Sequence, residues 1–332
     1  MLTPPAGLSH GDLAAVVEQA WDVAVDSLGY RPVGFGSHHW VAIDNLGHRH
    51  FVTVDELSPD SRVGDEVSVL GLRLRPALTA AVDLRAIGCS FVVAPITTKV
   101  GDPFVRFDGY AVALYPFIEG QSFSFEAPFG RSDRERVLEV VIALHRVPLT
   151  SIRPPETDRF VVPWLDQLDQ LDQLDRSLLG AATSDGPHAA VASELIIDNE
   201  AGIRRLIARY RTLVEQYLGH PGPVVITHGE IHPGNVMATS EGWVIVDWDT
   251  ALVAPPERDL WRLAQGDGSI LREYAHATGT APDGRLVDLY GLRWDLAEVA
   301  SLAAEFRRPH EDTENSRKAL EILRSVLGRL PA

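Results

Sequence analysis

The place where β-patterning stops does most to narrow the fold of this 332-residue chain. Upstream of about residue 120, "YRPVGFG", "HWVAID" and "RHFVTV" are short β-like runs, and "NLG" between the last two is a hairpin signal. "LRPALTAAVDLRAIG" then spaces its apolar residues as a helix and stops at Gly88. "FVVAPI" and "YAVALYPFI" read as two more strands, giving five strands with one helix after the third. A leading helix is predicted from Leu13 to Leu28, where Val16, Val17, Ala20, Val23 and Ala24 keep helical spacing before Gly29.

Downstream the pattern is helical, as in the amphipathic stretch Arg134–His145. A strand ("PVVITH"), a loop and a hairpin ("NVMATSEGWVIVDWD", turning at Glu241-Gly242) interrupt it. "LDQLDQLDQLDRSL" is a three-residue repeat whose stripe drifts around a 3.6-period helix, which predicts a surface helix without functional meaning. The expectation is an α+β chain with a small β-rich N-terminal lobe, residues 1–119. A larger, mainly helical C-terminal lobe, residues 120–332, follows it.

Hydrophobic residues make up 45% and charged residues 23%, ordinary for a globular protein with a sizeable core. No apolar run reaches the ~18 residues of a membrane span. "MLTPPAGLSHGDL" lacks the basic and apolar regions of a signal peptide. The single cysteine, Cys89, cannot form an internal disulfide and reads as a small core residue, so a reducing cytoplasm is expected. A net charge of −16 disfavours nucleic acid and anionic membranes as partners.

The polar residues of the interrupted stretch carry the chemistry. In "THGEIHPGNVM", His228, Gly229 and Glu230 are followed by Asn235, and a strand later "VIVDWD" supplies Asp247. Phosphoryl transfer asks little of a protein beyond cradling phosphates, holding metal ions and orienting the acceptor hydroxyl beside a proton acceptor. In kinases the last two tasks fall to a loop spaced H-R-D-x-x-x-x-N and to a later Asp on a short hairpin, and Asn235 stands here at the same offset. An amide oxygen and a carboxylate form a hard-oxygen site suited to Mg²⁺.

"HGEIHPGN", "VIVDWDTA" and "PPERDLW" resemble the catalytic loop, metal-binding segment and following helix of the aminoglycoside phosphotransferase and choline kinase superfamily. "YPFIEG" is similar to its interlobe hinge and "VGFGSHHW" to its nucleotide-covering loop. The likeness spans roughly residues 30–265. It implies a bilobal protein-kinase-like fold and transfer of the γ-phosphate of ATP or GTP to a small-molecule hydroxyl, with Mg²⁺ as cofactor. It places Glu230 at the catalytic Asp, and Asn235 and Asp247 at the metal ligands. Pro116, Phe117 and Ile118 fall at the purine hinge, and Asp249 in a second acidic position. His228 and His232 are expected to shape the loop, and Asp259 to buttress it.

Two departures from the family stand out. Glu230 is one carbon longer than Asp with a similar intrinsic pKa, so it keeps proton-accepting chemistry but moves the carboxylate on the order of 1 Å. Thr53 of "FVTVDEL" stands where the family has its phosphate-binding Lys, and the next helix has no Glu near its start to hold one. Lys99, His38, His39, Arg49, Arg73 and Arg75 are candidate substitutes. Gly34 and Gly36 permit close backbone approach to phosphates, with Ser37 and His38 at the loop tip.

The acceptor site is less legible. Asp267, Asp295, Glu298 and Glu305, with Trp261, Tyr290 and Trp294, are its candidates. The resemblance implies an antibiotic acceptor of aminoglycoside, aminocyclitol or nucleoside type. A metabolic kinase for a sugar or amino alcohol, and an inactive kinase fold that binds nucleotide or a partner, are the alternatives.

Overall fold

The computed structural model describes residues 1–330 except 6, 35, 58–68, 126 and 170–185. Five antiparallel strands form the N-terminal sheet: β1 (Val25–Arg31), β2 (His38–Asp44), β3 (Arg49–Glu56), β4 (Val105–Phe107) and β5 (Tyr110–Pro116). Their spatial order is β1-β2-β3-β5-β4. Alternation along the strands divides the side chains between two faces. Trp40, Ala42, Val52, Val54, Val112 and Leu114 pack with Leu13, Val17 and Trp21 of α1 (His10–Trp21). Ala111 and Ala113 face the other way, toward α2 (Val69–Ala86), whose Ala77, Leu78, Ala81 and Leu84 are buried there. Thr53 and Asp55 alternate with Val52 and Val54 and therefore share this second face.

Two expectations are corrected here. The leading helix ends at Trp21 and not at Leu28, because Asp22 adopts a left-handed C-cap at φ 61° and returns its N–H to Glu18 O at 3.0 Å. The sheet strand expected in "FVVAPI" is absent: Val92 bridges only to Ile245 and Ile96 only to Leu114, and β4 takes the edge position instead. Val92, Val93 and Ala94 are buried, and an apolar run covered on several sides has the composition of a strand without its ladder.

The chain divides into two compact units. One comprises Met1–Asp158 and Pro223–Pro282. Besides the sheet it holds β6 (Gln121–Ser122), α3 (Arg131–His145), β7 (Val225–Thr227), β8 (Val236–Thr239), β9 (Gly242–Ile245), β10 (Leu252–Ala254), α7 (Glu257–Leu260) and α8 (Ser269–Thr278). Its second core joins Leu138, Val141, Ile226, Ile245, Trp248, Leu260 and Tyr274 with α2. Cys89 is half-buried against that core as a free thiol.

The other unit, Arg159–Gly222 and Asp283–Ala332, is helical. Its helices are α4 (Leu165–Asp169), α5 (Ala189–Asp198), α6 (Glu200–Gly219), α9 (Gly284–Phe306) and α10 (Glu314–Gly328), with α6 and α10 both packed on α9. The rest of the "LDQ" repeat lies outside the described residues. The chain thus pairs a β-rich N-terminal region with a helical C-terminal region. Among the described residues no helix is long and apolar enough to cross a membrane.

Candidate active site

The loop after β7 is held by what lies beneath it. Asp259 of α7, 1% exposed, accepts the backbone N–H of His228 at 2.9 Å and of Gly229 at 2.5 Å. It also meets His145 Nε2 at 3.1 Å, and His145 Nδ1 meets Tyr274 Oη at 2.9 Å. Burial pushes the Asp259 carboxyl up, but the His145 hydrogen bond and the charges of His145, His228 and Arg258 outweigh it and hold the group below its ordinary value. Asp259 is therefore the buttress that the sequence predicts.

His228 ties the loop to the hairpin β8–β9. Its Nε2 donates to Val246 O at 2.9 Å, and its Nδ1 accepts the Glu230 N–H at 3.2 Å. Burial keeps this imidazole neutral, near pKa 4. Asn235 closes the other side: its Nδ2 donates to Glu230 O at 3.2 Å, and Val246 N donates to its own carbonyl at 3.0 Å. Glu230 is thus pinned at both its N–H and its carbonyl, and one hydrogen bond joins Asn235 to the residue before Asp247.

Gly229 has no room for a side chain. Its φ is +96°, and a Cβ there would lie 2.1 Å from Arg258 Nη2. The guanidinium cannot easily yield, since it is buried and donates to Thr227 Oγ1 at 2.8 Å and Thr250 O at 2.7 Å. Gly229→Ala should cost about 3 kcal/mol or more, from left-handed strain plus a displaced charged hydrogen bond. A urea midpoint equal to wild type would refute this account of the loop.

Four carboxylates act on one another beside the loop. Asp247, at φ 65°, is raised to about 6 by burial and then by the Glu230 charge. Asp249 is pushed well above its ordinary value by burial, then by Asp247, Glu230 and Asp55. Asp55 is raised to about 6 by burial, with Asp247 adding to the rise and a Ser37 hydrogen bond opposing it. Among the described residues, no cationic side chain figures among the charges acting on these three. A hard divalent cation would supply positive charge to such carboxylates through oxygen ligands, although among the described residues no three His, Cys, Asp or Glu side chains are grouped to hold an ion by themselves. Asp247 and Asn235 would hold it, with Asp249 beside them.

Asp55 was not among the sequence candidates. Its signal was the β period: it lies two residues beyond Thr53 on the same face. The Ser37 hydroxyl donates to it at 2.5 Å, tying the glycine loop to β3. Gly34 and Gly36 adopt φ 71° and 115° in that loop. His39 pairs across from Thr53 and stacks on Phe51 at 5.1 Å.

The other substitutes for the family lysine are engaged elsewhere. His38 is buried on the α1 face, 3.2 Å from Tyr30 Oη. Lys99 lies 3.8 Å from Asp22, Arg73 3.7 Å from Glu156, and Arg75 pairs with Asp102. Arg49 lies over the Phe117 ring at 4.1 Å and pairs with Glu119, beside Ile118 and just past Pro116 at the end of β5.

The phosphotransferase enzyme family model matches residues 100–328, which contain the buttressed loop, Asn235 and Asp247. The chain belongs to this family. Protein StrN of Streptomyces griseus is 29% identical over 233 residues, 67% of each chain. A spectinomycin phosphotransferase solved with ADP and spectinomycin shares the fold at TM-score 0.68 and 17% identity, over 97% of each chain. An aminoglycoside phosphotransferase solved with GDP and kanamycin superposes at TM-score 0.58 and 16% identity, over 95% of this chain and 97% of that one. The fold of the phosphotransferase family is the one its "HGEIHPGN" and "VIVDWDTA" segments imply.

Proposed function

We propose that this chain transfers the γ-phosphate of ATP or GTP to a hydroxyl of a small molecule, an antibiotic of the kind bound in its solved relatives. The observation that carries the reading is the convergence of Glu230, Asn235, Asp247 and Asp249 on a loop locked by Asp259 and His228. Residues 1–119 would carry the nucleotide, and residues 120–332 the catalytic loop and the acceptor. Solved relatives hold ADP with spectinomycin and GDP with kanamycin, which supports a nucleotide donor and an antibiotic acceptor.

In this reading Asn235 and Asp247 would hold Mg²⁺, which would neutralise charge on the phosphates. Glu230 accepts the proton of the acceptor hydroxyl as its oxygen attacks phosphorus, and the nucleoside diphosphate leaves. Ser37, Gly34 and Gly36 lie along the phosphates, and Pro116, Phe117 and Ile118 along the purine. Thr53 contributes at most one neutral hydrogen bond, about half as strong as one from a charged donor. The need for a nucleotide donor is consistent with a cytoplasmic location. The test is incubation with ATP or GTP, Mg²⁺ and a panel of hydroxylated antibiotics, with the acceptor product read by mass spectrometry. Absence of any phosphorylated product, with nucleotide bound, would favour a binding protein of kinase fold.

A further inference from the structure

His39 lies in β2 just past the glycine loop, and its backbone pairs with that of Thr53. Side chains of directly paired residues stand on one face of a sheet, with their Cβ atoms about 5 Å apart. The imidazole therefore stands beside the position where the family carries its phosphate-binding lysine, on the face that Thr53 and Asp55 share. It reaches further from the sheet than the Thr53 hydroxyl does.

The ring is held in place while its nitrogens are unused. It stacks on Phe51 with centroids 5.1 Å apart and planes at 29°. Nδ1 is buried and has no hydrogen-bond partner among the described residues. Burial pushes the imidazole down to about pKa 4, so at neutral pH it carries a single proton. An orphaned buried N–H is tolerated less well than an orphaned lone pair, which leaves Nδ1 bare and puts that proton on Nε2.

Nε2 faces the glycine loop. A Cβ built on Gly34 would lie 3.5 Å from it, and Cδ2 of the same ring, at 4.0 Å, is the only other atom so near apart from the glycine's chain neighbours. A Cβ on Gly36 would meet nothing within 4 Å. The space in front of Nε2 is thus where glycine withholds a side chain, the approach that a phosphate oxygen needs. Ser37 commits its hydroxyl proton to Asp55. Arg49, Arg73, Arg75 and Lys99 lie against carboxylates elsewhere, and His38 turns to Tyr30 on the opposite face.

We infer that His39 takes over the task of the absent lysine, its Nε2–H donating to a phosphate oxygen of the bound nucleotide. The inference rests on the kinase reading above and deepens it, replacing an ammonium with a neutral donor from the neighbouring strand.

Two substitutions separate the ring from its donor. His39→Phe keeps the ring that stacks on Phe51 and removes the N–H. His39→Gln gives up the ring and places an amide N–H near the Nε2 position. Calorimetry at one ionic strength, with Mg²⁺ in every sample, measures ADP and adenosine on wild type and both variants. His39→Phe should bind ADP roughly tenfold to 100-fold more weakly, the loss of a hydrogen bond to a charged oxygen, with adenosine changed less than about threefold. His39→Gln should stay within about fivefold of wild type for ADP, since a neutral donor replaces a neutral donor. Where His39→Phe does not fold, the ¹⁵N imidazole signals of wild type, assigned by their loss in His39→Gln, carry the test. Nε2 should be the protonated nitrogen and should shift with ADP but not with adenosine.

The reverse order, with Gln impaired and Phe intact, would make His39 a packing ring and overturn the inference. So would equal losses for ADP and adenosine, an ADP affinity indifferent to both variants, or an Nε2 signal that ADP leaves unmoved. Wild type binding neither ADP nor ATP would sink the kinase reading and the inference with it, a result distinct from ADP binding that His39 does not affect.

Discussion

Glu230→Gln should lower kcat by roughly 10²–10⁴-fold, the usual worth of general base catalysis, while leaving nucleotide affinity nearly unchanged. The substitution keeps the shape of the side chain and removes its basicity. The Glu230 backbone is fixed by two bonds that do not involve the carboxylate, its N–H to His228 Nδ1 and its carbonyl from Asn235 Nδ2. A loss in Glu230→Gln therefore reports on proton acceptance and not on loop collapse. The same two bonds bear on Glu230→Asp. A loop pinned on both sides of residue 230 cannot slide forward to recover a missing methylene, so the shorter carboxylate stops about 1 Å short, a displacement that costs on the order of 100-fold. Steady-state kinetics with a confirmed acceptor read both variants. Wild-type turnover in Gln would reduce Glu230 to a positioning residue, and an Asp variant faster than Glu would mean the pocket is not built around the longer side chain.

Much of this site is legible along the chain because its parts are local. Glu230, Asn235 and Asp247 lie within one strand–loop–hairpin, and strand alternation assigns Thr53 and Val54 to opposite faces without any coordinates. The gaps have physical causes. The end of α1 turns on the left-handed Asp22, a conformation that Asp tolerates but does not announce. The buried run Val92–Ala94 has strand composition but makes single bridges only, since its neighbours cover it without forming a ladder. Asp55 is illegible from the family pattern, which marks the position of a lysine, whereas this chain places an acid two residues further along the same face.

The proposed metal site makes the second large prediction, in which activity and stability move in opposite directions. Asp247→Asn is the informative variant because Asp247 sits at φ 65°, a conformation Asn accepts more readily than Ala. It removes the charge of the proposed metal ligand and keeps the local backbone. Transfer should fall at least about 10³-fold, since metal-held charge stabilisation is worth several kcal/mol. The metal-free protein should respond the other way. Asp247 and Asp55 are both raised to about 6 in the folded chain, against an ordinary value of 3.8. Their stabilising effect is full below the unfolded value and is lost as pH rises through the folded one, because between the two the folded state retains protons that the unfolded chain has released. Stability without metal should therefore fall as pH rises from about 4 to about 6, and stay reduced at neutral pH, where the carboxylates face one another charged. Asp247→Asn removes one of those charges, so in EDTA at neutral pH its thermal midpoint should exceed that of wild type. Adding Mg²⁺ should raise the wild-type midpoint and leave the variant nearly unmoved, because a ligand stabilises only the state that binds it. Thermal unfolding with and without Mg²⁺, beside a transfer assay, reads all of these effects. An active Asp247→Asn enzyme, or one that Mg²⁺ stabilises as fully as wild type, would remove Asp247 from the metal site.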